Sequence, residues 1–505
     1  MNCQSPEEYA MFSNKTLPLL LTILLIAAGS CDILDDQAPQ QSLPLDEAFN
    51  NKEALNSALI GAYSDLQDDE GDVAGANWTL FPSIMADNTL WNGSFVSYRN
   101  IAVHEMEPSN PAITAWWIDS YEVINDVNAI LSAIPNVDGT SPSLKGEALF
   151  IRGITYFELV RVFAKPWDTS SDNSHPGVPI VTDPTESSDD FTFPSRATVA
   201  KVYGRVVTDL SDAIDLLPEA NADGRATKYA AQAYLVKVFM HQGKYQKAAA
   251  MAQQVINGPY SLNEDVVTFF RNEFSGESIF EIANTTQDNP GTNDALPTFF
   301  NLDARDDIQI SQSFIEALDT VITADQKQRM NVQGYTYEDT RNTMLLTASQ
   351  GDDAQIPEAG SDNTTKYEDA VNLADNAPLL RLADIILLRA EALAEANGIN
   401  DESINLLNQV RTRAIIVRDQ NGDPVSDEET YIGYDQADFD NAQELIDAIM
   451  LERRIELAFE GQRMHDLVRK GRAVRGTAPG ADNLIFPIPQ RELDANSNLE
   501  QNPGY

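Results

Sequence analysis

Three glutamates near the C-terminus are the residues whose type and spacing could support chemistry. Glu452, Glu456 and Glu460 recur every four residues in LERRIELAFEGQRMHDLVR, with Arg453 and Asp466 close by. Residues four apart share one face of a helix, so these carboxylates would repel one another unless arginines pair with them. We therefore expect an internal network of ion pairs that fixes the fold.

A paired-carboxylate active site is the alternative interpretation of these glutamates. The general acid and base of a glycoside hydrolase usually sit in a cleft rather than along one helix. His465 lies nearby but has no Ser or Cys motif beside it to activate. The four histidines, His104, His175, His241 and His465, lack the spacing of a metal site. The sequence therefore predicts no catalytic residues and no metal ligands.

Cys31 is the residue in the N-terminal region that could undergo chemistry. It follows an apolar run at 17–28 and the small residues Gly29 and Ser30. A run of about 12 apolar residues is too short to span a bilayer, which needs about 20, but it suits the apolar part of an export signal. We expect residues 1–30 to be a lipoprotein signal peptide and Cys31 to carry the lipid. An ordinary secreted protein with an incidental cysteine is the alternative.

The residues around this signal extend the prediction. Glu7 and Glu8 do not suit a basic signal start, which indicates Met11 as the true start. The other cysteine, Cys3, would leave with the signal, so the mature chain could form no disulfide. Acyl chains such as palmitate on Cys31 would anchor the protein stably, and residues 31–45 would form an acidic leash.

The net charge of −44 over 505 residues limits the choice of partners. Nucleic acids and anionic membrane surfaces are polyanions, so neither is expected to bind. No second apolar stretch is long enough to span a membrane, so the lipid would be the only membrane contact. Such acidity is typical of a strongly solvated surface or of a saline habitat.

Apolar periodicity predicts helices over much of the chain. Three amphipathic segments end at Pro135, Pro166 and Pro218, and Trp117 in the first of them is expected in the core. Two helical hairpins of tetratricopeptide type follow, at 226–256 and 379–414. A regular solenoid needs about three consecutive repeats, so we expect both hairpins to pack within one helical scaffold.

Two stretches, at 65–100 and about 263–376, lack this periodicity and are rich in Asp, Asn and Gly. Five aromatic residues lie in the first stretch: Trp78, Phe81, Trp91, Phe95 and Tyr98. Long irregular insertions in a compact protein are usually functional or disordered. We predict irregular structure in both stretches.

The order of these segments resembles the SusD/RagB family of outer-membrane nutrient-binding lipoproteins, over essentially the whole chain. The resemblance is carried by NKEALNSALIGAYSDLQ, GEALFIRGITYFELVRVFA, GRATKYAAQAYLVKVFMHQGKYQKA and, most specifically, ERRIELAFEGQRMHDLVR followed by FPIP and QNPGY. It implies a mainly α fold, a SusD-like helical scaffold with tetratricopeptide-like hairpins and long irregular ligand-binding loops. Residues 46–505 would form one domain, with an N-terminal part at about 46–260 and a C-terminal part at about 263–505.

The resemblance also implies a function. Family members are binding proteins without enzymatic activity or cofactors, lipid-anchored outside the outer membrane as lids on SusC-like TonB-dependent transporters. Asp32, Asp35 and Asp36 resemble the surface-export signal of such lipoproteins. The ligand is typically an oligosaccharide, sometimes a peptide or another nutrient. A tetratricopeptide-like scaffold that binds only protein and a surface glycoside hydrolase are the competing classes.

Glycan chemistry directs the choice of site residues within this resemblance. The apolar face of a sugar stacks on an aromatic ring, and its hydroxyls need amide or carboxyl partners. The zone around Trp91 resembles one wall of the family's glycan site, and loops at about 290–340 resemble the other. The expected ligand-binding residues are Trp91, Asn92, Trp78, Tyr98, Tyr335 and Tyr337. For each aromatic, the alternative is a role in the core.

Overall fold

The computed structural model describes residues 48–67, 73–185, 191–342, 363–425 and 429–505. The chain divides into two units, Met1–Asn50 and Asn51–Tyr505, and the elements described here belong to the second. The predicted signal peptide at 1–30, Cys31 and nearly all of the segment before Asn51 lie outside the described residues.

The helices of the described residues are α1 Lys52–Gln67, α2 Asn77–Met85, α3 Val96–Ala102, α4 Pro111–Ala133, α5 Pro142–Phe163, α6 Val199–Leu216, α7 Lys228–His241, α8 Tyr245–Ile256, α9 Val266–Arg271, α10 Gly291–Asp294, α11 Leu296–Phe300, α12 Gln312–Thr320, α13 Ala324–Gln333, α14 Leu382–Asn397, α15 Asp401–Ala414, α16 Glu429–Ile432, α17 Ala442–Glu456, α18 Gln462–Arg469 and α19 Gln490–Ala495. The strands are β1 Thr89–Trp91, β2 Ser278–Ile282, β3 Ile308–Ile310, β4 Thr336–Asp339, β5 Ala377–Arg381 and β6 Ile415–Arg418. They pair antiparallel as three two-stranded sheets, β1–β3, β2–β5 and β4–β6.

The mainly α prediction is confirmed. Polar side chains cap the long helices at their first turns: Asn110 accepts from two N–H groups of α4, and Ser141 and Thr198 do the same once each for α5 and α6. The predicted stops at Pro135, Pro166 and Pro218 each lie within three residues of a helix end. Proline has no backbone N–H to donate, so none of these helices can continue regularly past its proline.

The long helices pack one against the next in a continuous layer. α4 packs on α5, α5 on α6, α6 on α7 and α7 on α8; α8 then packs on α14, and α14 on α15. The two predicted hairpins, α7–α8 and α14–α15, are therefore neighbours in one scaffold although more than 100 residues separate them in sequence. Their assignment as tetratricopeptide units stays a prediction. Trp117, on α4, is in the core as expected.

The predicted irregular stretch at 65–100 is partly wrong, because it contains α2, β1 and α3. These elements have nine, three and seven residues, too few to give a clear apolar period. The stretch at 263–376 is broken into short helices and strands, and its part at 343–362 lies outside the described residues.

The internal ion network is confirmed, with a corrected geometry. α17 ends at Glu456, so Glu460 lies in the turn before α18 rather than on the same helical stripe. The partners come from distant segments: Arg341 and Arg411 both pair with Glu452, and Arg381 pairs with Glu456 at 2.7 Å and with Glu460 at 2.8 Å.

Two further arginines of this region have separate roles. Arg453 lies on α17 and pairs with Asp384 of α14 at 2.8 Å and with Asp466 of α18 at 3.0 Å. It therefore ties three helices together. Arg463 points away from the network and pairs with Asp87 at 2.8 Å.

Glu456 is the most heavily neutralised carboxylate of the network. Burial alone would raise the pKa of Glu456, but Arg413, Arg381 and Arg341 outweigh burial and hold that pKa well below its usual range. Glu452 and Glu456 are buried and bonded to arginines, so neither is free to act on a substrate as an acid or base. This geometry speaks against the paired-carboxylate alternative.

We predict that Glu456→Gln lowers the free energy of unfolding by about 3 to 5 kcal/mol, because it leaves buried arginines without their counter-charge. The matched control is Glu338→Gln, which breaks an exposed pair with Arg418 and should cost about 1 kcal/mol or less. Urea unfolding at pH 7 measures both variants. A carboxyl with a lowered pKa stabilises above its unfolded pKa, so the effect of Glu456→Gln should shrink as pH falls below about 4.3. Equal costs for the two variants would contradict a stabilising role for the network.

Candidate ligand-binding surface around Trp91

The β1–β3 sheet brings the two predicted walls together. Trp91 lies opposite Ile308 in the register of the two strands. Just beyond β1, the backbone N–H groups of Asn92 and Gly93 both donate to the Asp307 carbonyl, at 2.7 and 3.2 Å. The zone around Trp91 therefore meets the loop before β3.

The Trp91 ring is half-buried and held from two sides. It packs edge-on against Tyr98, with ring centroids 5.5 Å apart. Gly93 lies under the indole, because a Cβ at this position would approach Trp91 Cζ2 to 2.5 Å and Asp307 Oδ1 to 2.6 Å. The absence of a side chain at Gly93 therefore lets the indole fold over the backbone. Asn92, next to the ring, is exposed.

Phe95 and Arg305 extend this surface. Phe95 is 41% exposed, and the Arg305 guanidinium lies 4.6 Å from the centroid of its ring and 4.9 Å from that of Phe299. Arg305 also donates through Nε to Asp307 at 2.8 Å. Burial raises the pKa of Asp307, although the pairing with Arg305 opposes the rise. The surface thus combines partly exposed aromatic rings with a fixed cation and amide and carboxylate groups.

A column of aromatic rings supports the surface from below. Tyr98 contacts the rings of Phe81, Phe95 and Phe299 at centroid distances of 5.3 to 5.7 Å. Phe81 in turn contacts Trp116 at 5.5 Å, deep in the core. Such contacts fix ring orientation, so the exposed rings are held in place before any ligand arrives.

The structure places Trp78 and Tyr98 in the core, against the expectation that they contact ligand. Trp78 is 4% exposed and Tyr98 is 8% exposed. A ring without an open face cannot stack on a sugar, so their roles here are packing and, for Tyr98, support of Trp91. All nine residues of α2 are buried, which explains the position of Trp78.

Tyr335 and Tyr337 lie on a different sheet from Trp91. Tyr337 is in β4, which pairs with β6, and it is 39% exposed. Tyr335 precedes β4 and packs edge-on against Tyr431 at 5.2 Å. Both tyrosines line a cavity of about 330 Å³ together with Met330. Their contact with ligand stays a prediction, and it would concern this separate cavity.

Four residues of the Trp91 surface were not selected from the sequence: Gly93, Phe95, Arg305 and Asp307. Phe95 lies in the aromatic stretch noted above, but its exposure is a property of the fold. Arg305 lies 210 positions further along the chain, and no local pattern links it to Phe95.

No helix among the described residues has both the length and the apolar character needed to cross a bilayer.

We predict that Gly93→Ala lowers the free energy of unfolding by about 1 to 3 kcal/mol, because the added methyl must displace the Trp91 ring or Asp307. The matched control is Gly61→Ala on α1, where a Cβ meets nothing within 4 Å. This control should be neutral or stabilising by up to about 1 kcal/mol, as alanine favours helix over glycine. Thermal unfolding of both variants provides the measurement, and an unchanged Gly93→Ala protein would contradict the close approach.

Comparisons with known proteins agree with this fold. A family model described as "Starch-binding associating with outer membrane" matches residues 32–240, and the SusD family model matches residues 217–505. SusD-like protein P38 of Formosa agariphila is 25% identical over 98% of this chain and 99% of its own length. A SusD superfamily structure from Bacteroides thetaiotaomicron is 24% identical and covers 90% or more of both chains, with a TM-score of 0.72. A structure described as a laminarin binding SusD-like protein, 24% identical over 90% of this chain and 100% of its own, has a TM-score of 0.67. The chain belongs to the SusD family.

Proposed function

We propose that this protein is a non-enzymatic, lipid-anchored protein of the outer cell surface that captures an oligosaccharide and passes it to a SusC-like TonB-dependent outer-membrane transporter. The observation that carries the proposal is the surface at Trp91 and Phe95, where aromatic rings, the exposed Asn92 amide and the fixed Arg305–Asp307 pair lie together. Family membership supports the class of function.

The geometry suits sugar recognition. Trp91 and Phe95 offer partly exposed rings for the apolar faces of successive sugar residues. Sugar hydroxyls can donate to the Asp307 carboxylate or the Asn92 carbonyl and accept from the Asn92 amide or Arg305. The two rings and the Arg305–Asp307 pair are held by their neighbours before binding, so these groups lose little conformational entropy when the ligand docks.

Two neutral glycans are the first to test. The family model over residues 32–240 is described as starch-binding, and one protein of the same fold is described as laminarin binding. A peptide- or other nutrient-binding lid of the same transporter type is the alternative, and a tetratricopeptide-like protein-binding scaffold is another. The helical layer would serve either alternative, but neither needs the aromatic and amide surface around Trp91.

Calorimetry of residues 32–505 against starch and laminarin oligosaccharides, other glycans and control peptides tests the proposal. We expect one glycan class to bind with a Kd between about 1 μM and 1 mM and to remain uncleaved. Trp91→Ala and Phe95→Ala should each weaken binding about tenfold, as expected for removing one aromatic contact of 1 to 1.5 kcal/mol. Phe193→Ala is the matched control, because Phe193 is 55% exposed and lies outside this surface.

The outcomes separate the classes. Unchanged affinity in both Trp91→Ala and Phe95→Ala would overturn this surface as the ligand site. Binding by peptides alone would favour the alternative lid. Cleavage of the bound glycan would contradict the non-enzymatic assignment.

The anchor has its own test. The sequence around Cys31 supports lipidation at that residue. We expect Cys31→Ala to move the protein from the membrane fraction to the soluble fraction of cells that express it, while the unsubstituted protein stays in the membrane fraction. An unchanged membrane fraction for Cys31→Ala would contradict acylation at Cys31.

A further inference from the structure

Glu281 differs from every other buried carboxylate of the described residues. Thirteen aspartates and glutamates are buried there, and twelve of them form an ion pair with an arginine or lysine. Glu281, 4% exposed, forms none. All lysines and arginines except Lys15 lie within the described residues, so nearly every possible partner is accounted for. An unpaired buried charge is costly.

Glu277, four residues earlier in the chain, shows the contrast. Glu277 immediately precedes β2 and pairs with Arg381 at 2.9 Å and with Arg413 at 2.6 Å. Glu281 lies four residues later and receives only neutral donors: the Asn376 amide at 2.9 Å and the Phe274 N–H at 3.3 Å, both on Oε2. Burial raises the pKa of Glu281, although these donors and the nearby Ser278 hydroxyl oppose the rise.

Glu281 lines a cavity of about 260 Å³ between residues 219–227 and 259–281, and also a smaller one of about 160 Å³ that Asn376 lines. One water occupies about 30 Å³ in the liquid, so the larger cavity has room for more than a single water. It is slightly below the usual range of ligand pockets, about 300 to 1,000 Å³, which limits the occupant to the size of a single sugar residue.

Two backbone irregularities shape this cavity. The register of β2 against β5 shifts between Ser278 and Phe280 and again before Glu281. In a regular strand, residues 278 and 281 would point to opposite faces, but bulges re-aim side chains, and here both line the cavity. Phe274 has a φ of +49°, which is costly for a bulky residue, and it lines the same cavity.

The polar groups of the cavity are incompletely satisfied. The Ser278 hydroxyl belongs to a buried residue and has no hydrogen bond of normal geometry within the described part of the chain. Arg225 lines the cavity, but its Nε donates to Glu147 and its guanidinium stacks over Tyr63 at 4.9 Å. The Ser278 oxygen is itself shielded from solvent, and the arginine is already engaged. Glu281 is therefore the buried carboxylate of this cavity that lacks a counter-charge.

We propose that this cavity is a second ligand site, for a small molecule that carries a primary ammonium group beside hydroxyl groups, as a 2-amino sugar does. The ammonium would donate to Glu281 and supply its missing counter-charge. The apolar face of the sugar would lie against Phe274 and Tyr260, which line the same cavity. A metal ion fits less well, since no three or more His, Cys, Asp or Glu of the described residues are grouped to hold one. This site does not depend on the Trp91 surface.

Calorimetry of residues 32–505 with glucosamine, and with glucose as the hydroxyl-only control, tests this site. Glucosamine should bind, and glucose should bind at least about tenfold more weakly, because it lacks the charge-assisted hydrogen bond. Glu281→Gln should weaken glucosamine binding by at least about tenfold. Glu219→Gln is the matched control, because Glu219 lines the same cavity but already pairs with Lys228. Trp91→Ala should leave glucosamine binding unchanged.

Thermal unfolding is measured alongside for every variant. Should Glu281→Gln fail to fold, Tyr260→Ala gives the test in its place, and it should weaken glucosamine binding severalfold because it removes an apolar contact of the sugar. The proposal is overturned by absent glucosamine binding or by equal binding of glucose. Full glucosamine affinity in a folded Glu281→Gln or Tyr260→Ala variant would also overturn it. So would a Glu281-dependent rise in Tm that calcium causes and glucosamine does not.

Discussion

The buried charge cluster around Glu456 is the constraint on which the rest of the structure depends. Its arginines come from three separate places: Arg341 follows β4, Arg381 ends β5 and Arg413 lies near the end of α15. None of these segments can move away without leaving a charge buried and unpaired, which costs several kcal/mol. The cluster therefore fixes how the small sheets sit against the helical layer.

The same cluster holds the loops that form the candidate ligand surface. Lys366 donates to Glu460 at 2.6 Å, and the next residue, Tyr367, donates its hydroxyl to the Phe459 carbonyl at 3.0 Å. The Asn301 amide then donates to the Tyr367 carbonyl at 3.1 Å, four residues before Arg305. A short series of bonds thus connects the buried charges to the cation beside Phe95. Such support from residues behind a site is what keeps binding groups in place.

Much of the scaffold could be predicted from the sequence, because helix signals are local. Apolar period and proline stops located the long helices, and the spacing of Glu452 and Glu456 predicted a buried network. The partners Arg341 and Arg381 could not be predicted, since pairing over 75 or more positions is set by the tertiary fold. The candidate ligand surface was harder to predict for the same reason: the sequence drew attention to the Trp91 zone, but Phe95 and Arg305 meet only in the folded chain.

The burial of Trp78 could have been predicted from its local sequence. Its helix, NWTLFPSIM, has no charged residue and so no strongly polar face to turn to solvent, which is typical of a buried helix. Trp91, by contrast, is followed by Asn92 and Gly93, residues that favour a turn at the surface. Side chains such as Asn92 and Phe95 form no ion pair with the charge cluster, so they can change without unpairing a buried charge. Substitutions in these loops can therefore change the candidate surface while the charge cluster keeps the same fold.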